Sequence, residues 1–126
     1  MTSNQRIMIV DDEFLTAMAL GEYLADNGFE IVGPFASSNE AMKFCDTAKT
    51  DAAFLDINLG DGETSEQIAK QLDDLGIPFV FLTGYSEIPS KLAAFEGAKF
   101  IAKPVPLKTA LSEATRLASI SRNKAV

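Results

Sequence analysis

The chain has 126 residues, of which 47% are hydrophobic, as is usual for one compact domain. Eighteen acidic residues against 11 basic residues give a net charge of -7, which argues against a nucleic-acid surface. The sequence has no histidine and one cysteine, which excludes histidine-dependent catalytic triads, histidine-ligated zinc and internal disulfides. No apolar stretch is long enough to span a membrane, and the polar N-terminus indicates no signal peptide. We therefore expect a cytoplasmic protein whose chemistry depends on carboxylates, lysines and hydroxyls.

Five short apolar runs predict β-strands. They cover residues 7–10, 31–35, 52–55, 79–82 and 100–102. Several of them lack polar alternation, which is typical of parallel strands covered on both faces. The second run contains Gly33 and Pro34, and because proline has no N–H, we expect this strand at an edge of the sheet.

The segments between these runs have a helical period. A first helix is predicted to end at Asn27 and Gly28. The second begins at a capping box formed by Ser37 and Glu40 and extends through Ala48. A second capping box, formed by Thr64 and Gln67, opens a third helix that ends at Gly76. A short fourth helix is predicted over about residues 89–95, and a fifth extends from near Pro106 to near Ile120.

Apolar spacing also predicts which side of three helices packs inward. The predicted inward residues are Phe14, Ala17, Met18, Gly21, Leu24 and Ala25 in the first helix; Ile68, Leu72 and Leu75 in the third; and Leu107, Ala110, Leu111, Ala114, Leu117 and Ala118 in the fifth.

Strict alternation of strand and helix predicts an α/β fold with right-handed crossovers. A doubly wound parallel sheet of five strands, with the second at an edge, fits the strand order 2-1-3-4-5. Ligands of such sheets bind at the carboxyl ends of the strands, near the point where the strand order reverses. The residues that follow each strand are therefore the candidates for function.

Polar residues stand at four of these strand ends. Asp11 and Asp12 follow the first strand, Asp56 the third, Thr83 the fourth and Lys103 the fifth. Each has an ordinary structural explanation when considered alone: Asp12 as a helix N-cap, Asp56 as a turn residue, Thr83 as a strand end and Lys103 as solvated surface. At one rim of a parallel sheet, however, we expect these side chains to lie together.

Three carboxylates in a small volume repel one another and raise one another's proton affinity. A hard divalent cation relieves this repulsion, and Mg²⁺ fits a site of carboxylates and water. A carboxylate facing such a cation can attack a phosphoryl group and carry it as an acyl phosphate. A lysine ammonium and a threonine hydroxyl would then bind the transferred oxygens.

The segments IMIVDDE, FLDINLGDG, FVFLTGY and FIAKP occur in this order, each at a strand end. With them the chain resembles, over essentially its whole length, the receiver domain of two-component response regulators, which has a flavodoxin-like (βα)5 fold. The resemblance implies that Asp56 is the phosphoacceptor. It also implies that Asp11, Asp12, Asp56 and the backbone carbonyl of Asn58 hold Mg²⁺.

The resemblance assigns further residues. Thr83 would bind a phosphoryl oxygen, Lys103 would pair with it, and the Lys103–Pro104 peptide bond would be cis. The segment FLTGY resembles the signature of single-domain receivers named for a Phe-Ala-Thr-Gly-x-Tyr motif, which work with a particular branch of histidine kinases. Switching in receivers involves the threonine together with an aromatic residue, and here both Tyr85 and Phe100 are candidates.

The function implied is a phosphorylation switch rather than an enzyme with a separate substrate. A histidine kinase or histidine phosphotransfer protein would donate the phosphoryl group. We expect residues 1–126 to form a single receiver with no output domain. The signal would then pass to a protein partner through the face of the fourth helix, fifth strand and fifth helix. Alternatively, the protein would act as a phosphate sink.

Two other functions remain open on the sequence. A Mg²⁺-dependent phosphatase would use an aspartyl nucleophile after the first strand and a general acid two residues later, where this chain has Glu13. A pseudo-receiver would dock passively to a partner, although such a protein usually lacks the acceptor or the metal ligands.

Overall fold

A computed structural model describes residues 5–44, 49–60, 62–84, 95 and 98–124, with side chains as far as residue 120. Strands and helices alternate along these residues. The strands are β1 (Arg6–Val10), β2 (Glu30–Phe35), β3 (Ala52–Asp56), β4 (Phe79–Thr83) and β5 (Lys99–Ala102). The helices of the described residues are α1 (Phe14–Asp26), α2 (Ser38–Met42), α3 (Glu66–Asp74) and α4 (Leu107–Lys124).

The five strands form one parallel sheet in the order β2-β1-β3-β4-β5, which confirms the predicted α/β fold and strand order. Strand β2 lies at the edge, as the proline in it predicted. Its register against β1 shifts between Met8 and Val10. At this irregularity Gly33 has a φ of +105°, and a Cβ there would lie 2.8 Å from the backbone nitrogen of Phe35, so only glycine fits.

Two apolar layers sandwich the sheet, as expected for strands buried on both faces. Helices α1 and α4 cover one face, where Ile7, Ile9 and Phe54 are fully buried. Helices α2 and α3 cover the other face, where Met8 and Phe81 are fully buried. Successive strand residues therefore enter opposite layers, and the central strands are held from both sides while their carboxyl ends stay open to the rim.

Five of the predicted inward residues are exposed, so these assignments were wrong: Phe14, Met18, Ala25, Leu75 and Leu107. Phe14 and Leu107 begin their helices, and Leu75 follows the end of α3, so each has fewer neighbours than a residue in mid-helix. The residues of α1 that are buried are Ala17, Leu20, Gly21 and Leu24. Met18 lies about 100° around the helix from Ala17, at the border of that buried stripe.

The start of α2 agrees with the sequence, because the Ser37 hydroxyl accepts a hydrogen bond from the Glu40 N–H at 3.2 Å. The Glu40 carboxylate in turn accepts from the Ala36 N–H at 3.2 Å. Helix α2 ends at Met42, so its predicted extension is wrong at Lys43 and Phe44, which form a turn. Residues 45–48 of that extension lie outside the described residues.

The predicted capping box at the start of α3 is wrong. Ser65 is the N-cap, and Thr64 accepts a hydrogen bond from the Glu66 N–H at 3.3 Å. The reason is that Thr64 pairs with Asn58 in an antiparallel bridge, which keeps it in the loop that follows β3. The cap therefore shifts by one residue along the chain.

The predictions for the last two helices can be compared with the structure to different extents. The predicted fourth helix falls almost entirely on residues 85–94, which lie outside the described residues. The predicted fifth helix is α4, which begins at Leu107 as expected but continues to Lys124, beyond the predicted end near Ile120. No glycine or proline interrupts this segment, so the helix has no reason to stop earlier. Within the described residues, no helix combines the length and apolar character needed to cross a membrane.

Candidate functional site

An open cleft of about 330 Å³ lies at the carboxyl rim of the sheet. Its lining comes from the ends of several strands and from the loops that follow them. The lining residues are Asp12, Glu13, Asp56, Asn58, Gly84 and Lys103. Residues separated by as many as 91 positions in the sequence therefore meet at the rim, as the parallel topology predicts.

The three carboxylates predicted to bind metal are brought together. Strands β1 and β3 are neighbours, and Val10 pairs with Leu55, so Asp11 and Asp56 emerge side by side. Carboxylate oxygens of Asp11, Asp12 and Asp56 all lie within 4.8 Å of one another. Asp11 and Asp56 are buried whereas Asp12 is exposed, so the cluster opens to solvent on one side.

The backbone supports this cluster. The Asp11 N–H donates to the Phe35 carbonyl at 2.9 Å, which ties the end of β1 to the end of β2. The Glu13 N–H donates to the Asp11 carboxylate at 2.9 Å, which fixes the acid at the entry to α1. Asp12 is not the N-cap of α1, since that position is taken by Glu13, and the alternative role considered for Asp12 is therefore wrong.

Lys103 reaches the same carboxylates from the end of β5. Its Nζ lies 3.2 Å from Asp11 Oδ2, 2.9 Å from Glu13 Oε1 and 3.4 Å from Asp56 Oδ2. Its backbone N–H donates to the Thr83 carbonyl at 2.8 Å. The peptide bond from Lys103 to Pro104 is cis, as expected. One ammonium group thus faces three carboxylates.

The electrostatics of the cluster favour the protonated form of Lys103 and disfavour the ionised form of Asp56. Burial, followed by the charge of Asp11, raises the pKa of Asp56 from 3.8 to about 7, although Lys103 opposes the shift. Burial alone would lower the pKa of Lys103, but its hydrogen bond to Glu13 and the charges of Asp11 and Asp56 raise it above its ordinary value. The negative charge at the rim therefore exceeds what Lys103 can neutralise.

Thr83 and Asn58 complete the predicted set. Thr83 ends β4, is buried, and pairs with Ala102 of β5, so it lies beside the backbone that leads to Lys103. Asn58 lines the cleft, and its side-chain oxygen accepts from the Gly60 N–H at 3.2 Å. All six predicted acceptor, phosphoryl-binding and metal-site residues are therefore at this rim of the sheet.

Residues 7–115 match the family described as response regulator receiver domain. The chain belongs to this family. The receiver is 34% identical over 103 residues to the transcriptional regulatory protein YpdB of Escherichia coli, a match covering 79% of this chain and 41% of that protein. It is 32% identical over 87 residues to the transcriptional regulatory protein PdtaR of Mycobacterium tuberculosis, covering 66% of this chain and 40% of that protein.

Solved structures agree with the fold of this receiver. A CheY-like response regulator receiver domain protein from Methanospirillum hungatei superimposes with a TM-score of 0.84 at 23% identity, covering 97% of this chain and 99% of that one. At that identity the likeness concerns the fold. The receiver spans about two fifths of the length of the curated relatives that it matches.

The aromatic candidates for switching differ in what the structure describes. Phe100 of the receiver is partly buried and stacks on Phe81 with ring centroids 5.0 Å apart. Phe79 and Phe95 extend this cluster through edge and tilted contacts. Tyr85 lies outside the described residues, so the choice between Tyr85 and Phe100 stays open.

Two features of the receiver were not assigned from the sequence. Glu13 was considered only as a possible general acid, whereas here its carboxylate contacts Lys103. The third acid of the Asp-Asp-Glu run was a visible signal, but its partner lies 90 residues further along the chain. Next to the cleft is a second recess of about 370 Å³, lined by both charged and apolar side chains, including Asp11, Leu15, Leu82, Lys103 and Val105.

Proposed function

We propose that this receiver accepts a phosphoryl group on Asp56 from the phosphohistidine of a histidine kinase or histidine phosphotransfer protein. The observation that carries the proposal is the placement of Asp56 at the rim, buried beside Asp11 and 3.4 Å from the ammonium of Lys103. A buried acceptor next to a fixed cation is suited to taking up an anionic group. Membership of the receiver family favours this function over the phosphatase and the passive docking module.

In the proposed transfer, a carboxylate oxygen of Asp56 attacks the phosphorus atom in line with the bond that breaks. The new O–P bond forms as the P–N bond to the donor imidazole breaks. The bonding pair stays on that imidazole nitrogen, and because the other ring nitrogen carries a proton, the leaving group is neutral imidazole. Lys103 would offer N–H groups to the transferred oxygens, and the Thr83 hydroxyl would donate another hydrogen bond.

The donor set fits Mg²⁺, since it consists of hard carboxylate oxygens at short mutual distances. The carboxylates of Asp11, Asp12 and Asp56, with the backbone carbonyl of Asn58, would hold the ion. When bound there, Mg²⁺ supplies positive charge that offsets the repulsion between these acids and the phosphoryl oxygens. Because the acids outnumber the lysine, the cluster retains negative charge that a divalent cation would neutralise.

Transmission of the signal is proposed to begin at Thr83 and Lys103, which are joined by the 2.8 Å backbone hydrogen bond. A phosphoryl group that drew both side chains inward would pull on the ends of β4 and β5. Phe100, stacked on Phe81, and Tyr85 are the aromatic residues proposed to respond. A protein partner would recognise the change on a face formed by strand β5, helix α4 and the segment that joins β4 to β5. In the absence of such a partner, the receiver would act as a phosphate sink.

The run Phe81-Leu82-Thr83-Gly84-Tyr85 supports placing this receiver in the subgroup with the Phe-Ala-Thr-Gly-x-Tyr motif. That placement would pair it with the corresponding branch of histidine kinases. The proposed compartment is the cytoplasm, where ATP-dependent kinases generate phosphohistidine. The acidic balance of the chain, with a net charge of -7, is compatible with a partner that presents basic residues.

The test is phosphoryl labelling by acetyl phosphate and Mg²⁺, followed by intact-mass measurement. Wild type is expected to gain one phosphoryl group, and Asp56→Asn is expected to gain none because its amide is not a nucleophile. Asp73→Asn, the same substitution at an exposed position of α3, is the matched control and should label like wild type. Undiminished labelling of Asp56→Asn would overturn the assignment of the acceptor.

The same preparation separates the alternatives. Repeated turnover of p-nitrophenyl phosphate would indicate the phosphatase, and failure of wild type to bind Mg²⁺ or to label would indicate the docking module. For a labelling receiver, affinity capture with and without beryllofluoride distinguishes the two outputs. A partner whose retention depends on beryllofluoride indicates signalling, whereas rapid hydrolysis without such a partner indicates a phosphate sink.

A further inference from the structure

Glu13 is the contact of Lys103 that the proposed transfer does not use. Its Oε1 lies 2.9 Å from Lys103 Nζ, a shorter distance than those to Asp11 and Asp56. The Glu13 side chain is 63% exposed, whereas the side chains of Asp11 and Asp56 are only 3% and 8% exposed. The ammonium group is therefore held between two buried acids and one that faces water.

We propose that Glu13 is a positioning residue that holds Lys103 at the mouth of the cleft before phosphorylation and releases it to the incoming phosphoryl group. This inference rests on the proposed function of Asp56 as phosphoacceptor. Glu13 in this role is an internal competitor of the phosphoryl oxygens, so it sets how strongly the site binds them.

The argument begins with the number of hydrogen bonds that Lys103 can make. A lysine ammonium has three N–H groups, and here it has three carboxylate neighbours. The contact that faces Asp56 passes to the phosphoryl group once that carboxylate carries it, so a further hydrogen bond from Lys103 to a phosphoryl oxygen requires Asp11 or Glu13 to give up its own. The question is which contact is lost at the smallest cost.

Burial identifies Glu13 as that contact. Taking Lys103 away from Asp11 would weaken the pairing of a buried charge, which is costly. The Glu13 carboxylate is already in contact with water and is rehydrated as it leaves Lys103. Its exchange for a phosphoryl oxygen therefore leaves the buried Asp11 in contact with Lys103.

The position of Glu13 also stabilises its carboxylate after release from Lys103. Glu13 is the N-cap of α1, and the first turn of α1 carries no acid of its own. The N-terminus of a helix favours negative charge, so a carboxylate that has left Lys103 remains in a favourable field. The Glu13 backbone is meanwhile held by its hydrogen bond to the Asp11 carboxylate at 2.9 Å, so the release involves the side chain.

The experiment measures binding of beryllofluoride, a phosphoryl mimic, in the presence of Mg²⁺ by titration of backbone amide NMR signals. Glu13→Gln keeps the size of the side chain and removes its charge, so Lys103 is freer to bind the mimic. We expect its affinity to rise about two- to fivefold, the range that corresponds to an exposed ion pair. Glu22→Gln makes the same charge change at an exposed position of α1 and should bind like wild type.

A double variant tests whether Glu13 acts through Lys103. In a Lys103→Ala background, adding Glu13→Gln should change the affinity for beryllofluoride by less than the single substitution does in wild type, because the contact is already gone. If the gain persists unchanged in that background, Glu13 acts by repelling anions from the mouth of the cleft and the proposal is overturned.

The remaining outcomes separate this inference from the function on which it rests. If wild type binds beryllofluoride and Glu13→Gln binds equally or more weakly, Glu13 is not a competitor and this inference alone fails. If wild type binds Mg²⁺ but no beryllofluoride, and acetyl phosphate leaves Asp56 unlabelled, the proposed function fails and the inference fails with it.

Discussion

Strand β5 has a lysine at each end, and the two lysines meet different groups of charges. At its start, the Lys99 ammonium lies 2.7 Å from Glu113 of α4, a buried acid that also contacts Arg116 at 2.8 Å. Immediately after its end, Lys103 faces three acids, Asp11, Glu13 and Asp56. The first group has two cations for one acid, and the second has one cation for three acids.

The difference separates a structural ion cluster from a site for chemistry. Glu113 is buried but satisfied, and its partners are about half exposed, so the cluster fastens α4 to β5 without excess negative charge. The acids around Lys103 are not balanced by the described residues. Folding brings these acids together at a cost in electrostatic free energy, and a bound cation would reduce that cost. An unbalanced group of buried charges at the rim is thus the mark of the functional end of the strand.

The largest expected effect concerns the cost of ionising Asp56. Its pKa is raised from 3.8 to about 7, so the folded state holds the proton more tightly than the unfolded state. The stability of metal-free wild type therefore falls as the pH rises from about 4 through about 7. Asp56→Asn cannot ionise, and at pH 8 without metal its free energy of unfolding should exceed that of wild type by up to about 4 kcal/mol.

Urea unfolding in EDTA across pH 4 to 8 measures this difference. The advantage of Asp56→Asn should be smallest near pH 4 and fully developed above pH 7. Glu22→Gln, an exposed acid on α1, should show no such trend. An advantage that is independent of pH would mean that the substitution acts through packing rather than through charge.

The next effect compares the two lysines directly. Lys103→Ala removes hydrogen bonds between a cation and phosphoryl oxygens, and should weaken Mg²⁺-dependent binding of beryllofluoride about 10- to 100-fold, as befits bonds to charged groups. Lys99→Ala removes the same charge from the other end of β5 and should leave this binding within about twofold of wild type. Equal losses in the two variants would show that net charge, and not the position of Lys103, governs binding.

The smallest effect is expected at the balanced cluster. Burial alone would raise the pKa of Glu113, but hydrogen bonds from Arg116 and Lys99 lower it below 4.5. Its contribution to stability is therefore present above pH 4.5 and is lost as the pH falls through the lowered pKa. Glu113→Gln should lower the free energy of unfolding at pH 7 by about 1–2 kcal/mol.

Thermal or urea unfolding between pH 3 and pH 7 measures the loss in Glu113→Gln, which should shrink at low pH, the reverse of the trend at Asp56. Labelling by acetyl phosphate should be unchanged in this variant. A large loss of labelling would mean that α4 and β5 transmit more to the rim than their separate charge clusters indicate.

Much of the candidate site follows from the sequence because topology decides it. Parallel strands place their carboxyl ends at one rim, so Asp11, Asp56, Thr83 and Lys103 had to meet once the order of strands was known. The edge position of β2 followed from Pro34 in the same way. Such predictions need only the direction of each strand and the residue that comes after it.

Other features depend on contacts that one-dimensional patterns do not encode. The helical period of α1 correctly marked Ala17 and Leu24, but it could not show that Phe14 lies at a helix end with few neighbours. The shift of the α3 cap to Ser65 follows from the pairing of Thr64 with Asn58. Likewise, the contact between Glu13 and Lys103 joins residues 90 positions apart.

The irregular end of β2 has a consequence for self-association. An edge strand with a free row of backbone groups can recruit another chain into the sheet. The register of β2 against β1 shifts between Met8 and Val10 of β1, and Pro34 of β2 lacks the N–H that a further strand would need. The same irregularity brings the Phe35 carbonyl to the Asp11 N–H. The device that supports the acid cluster therefore also protects this edge of the sheet from aggregation.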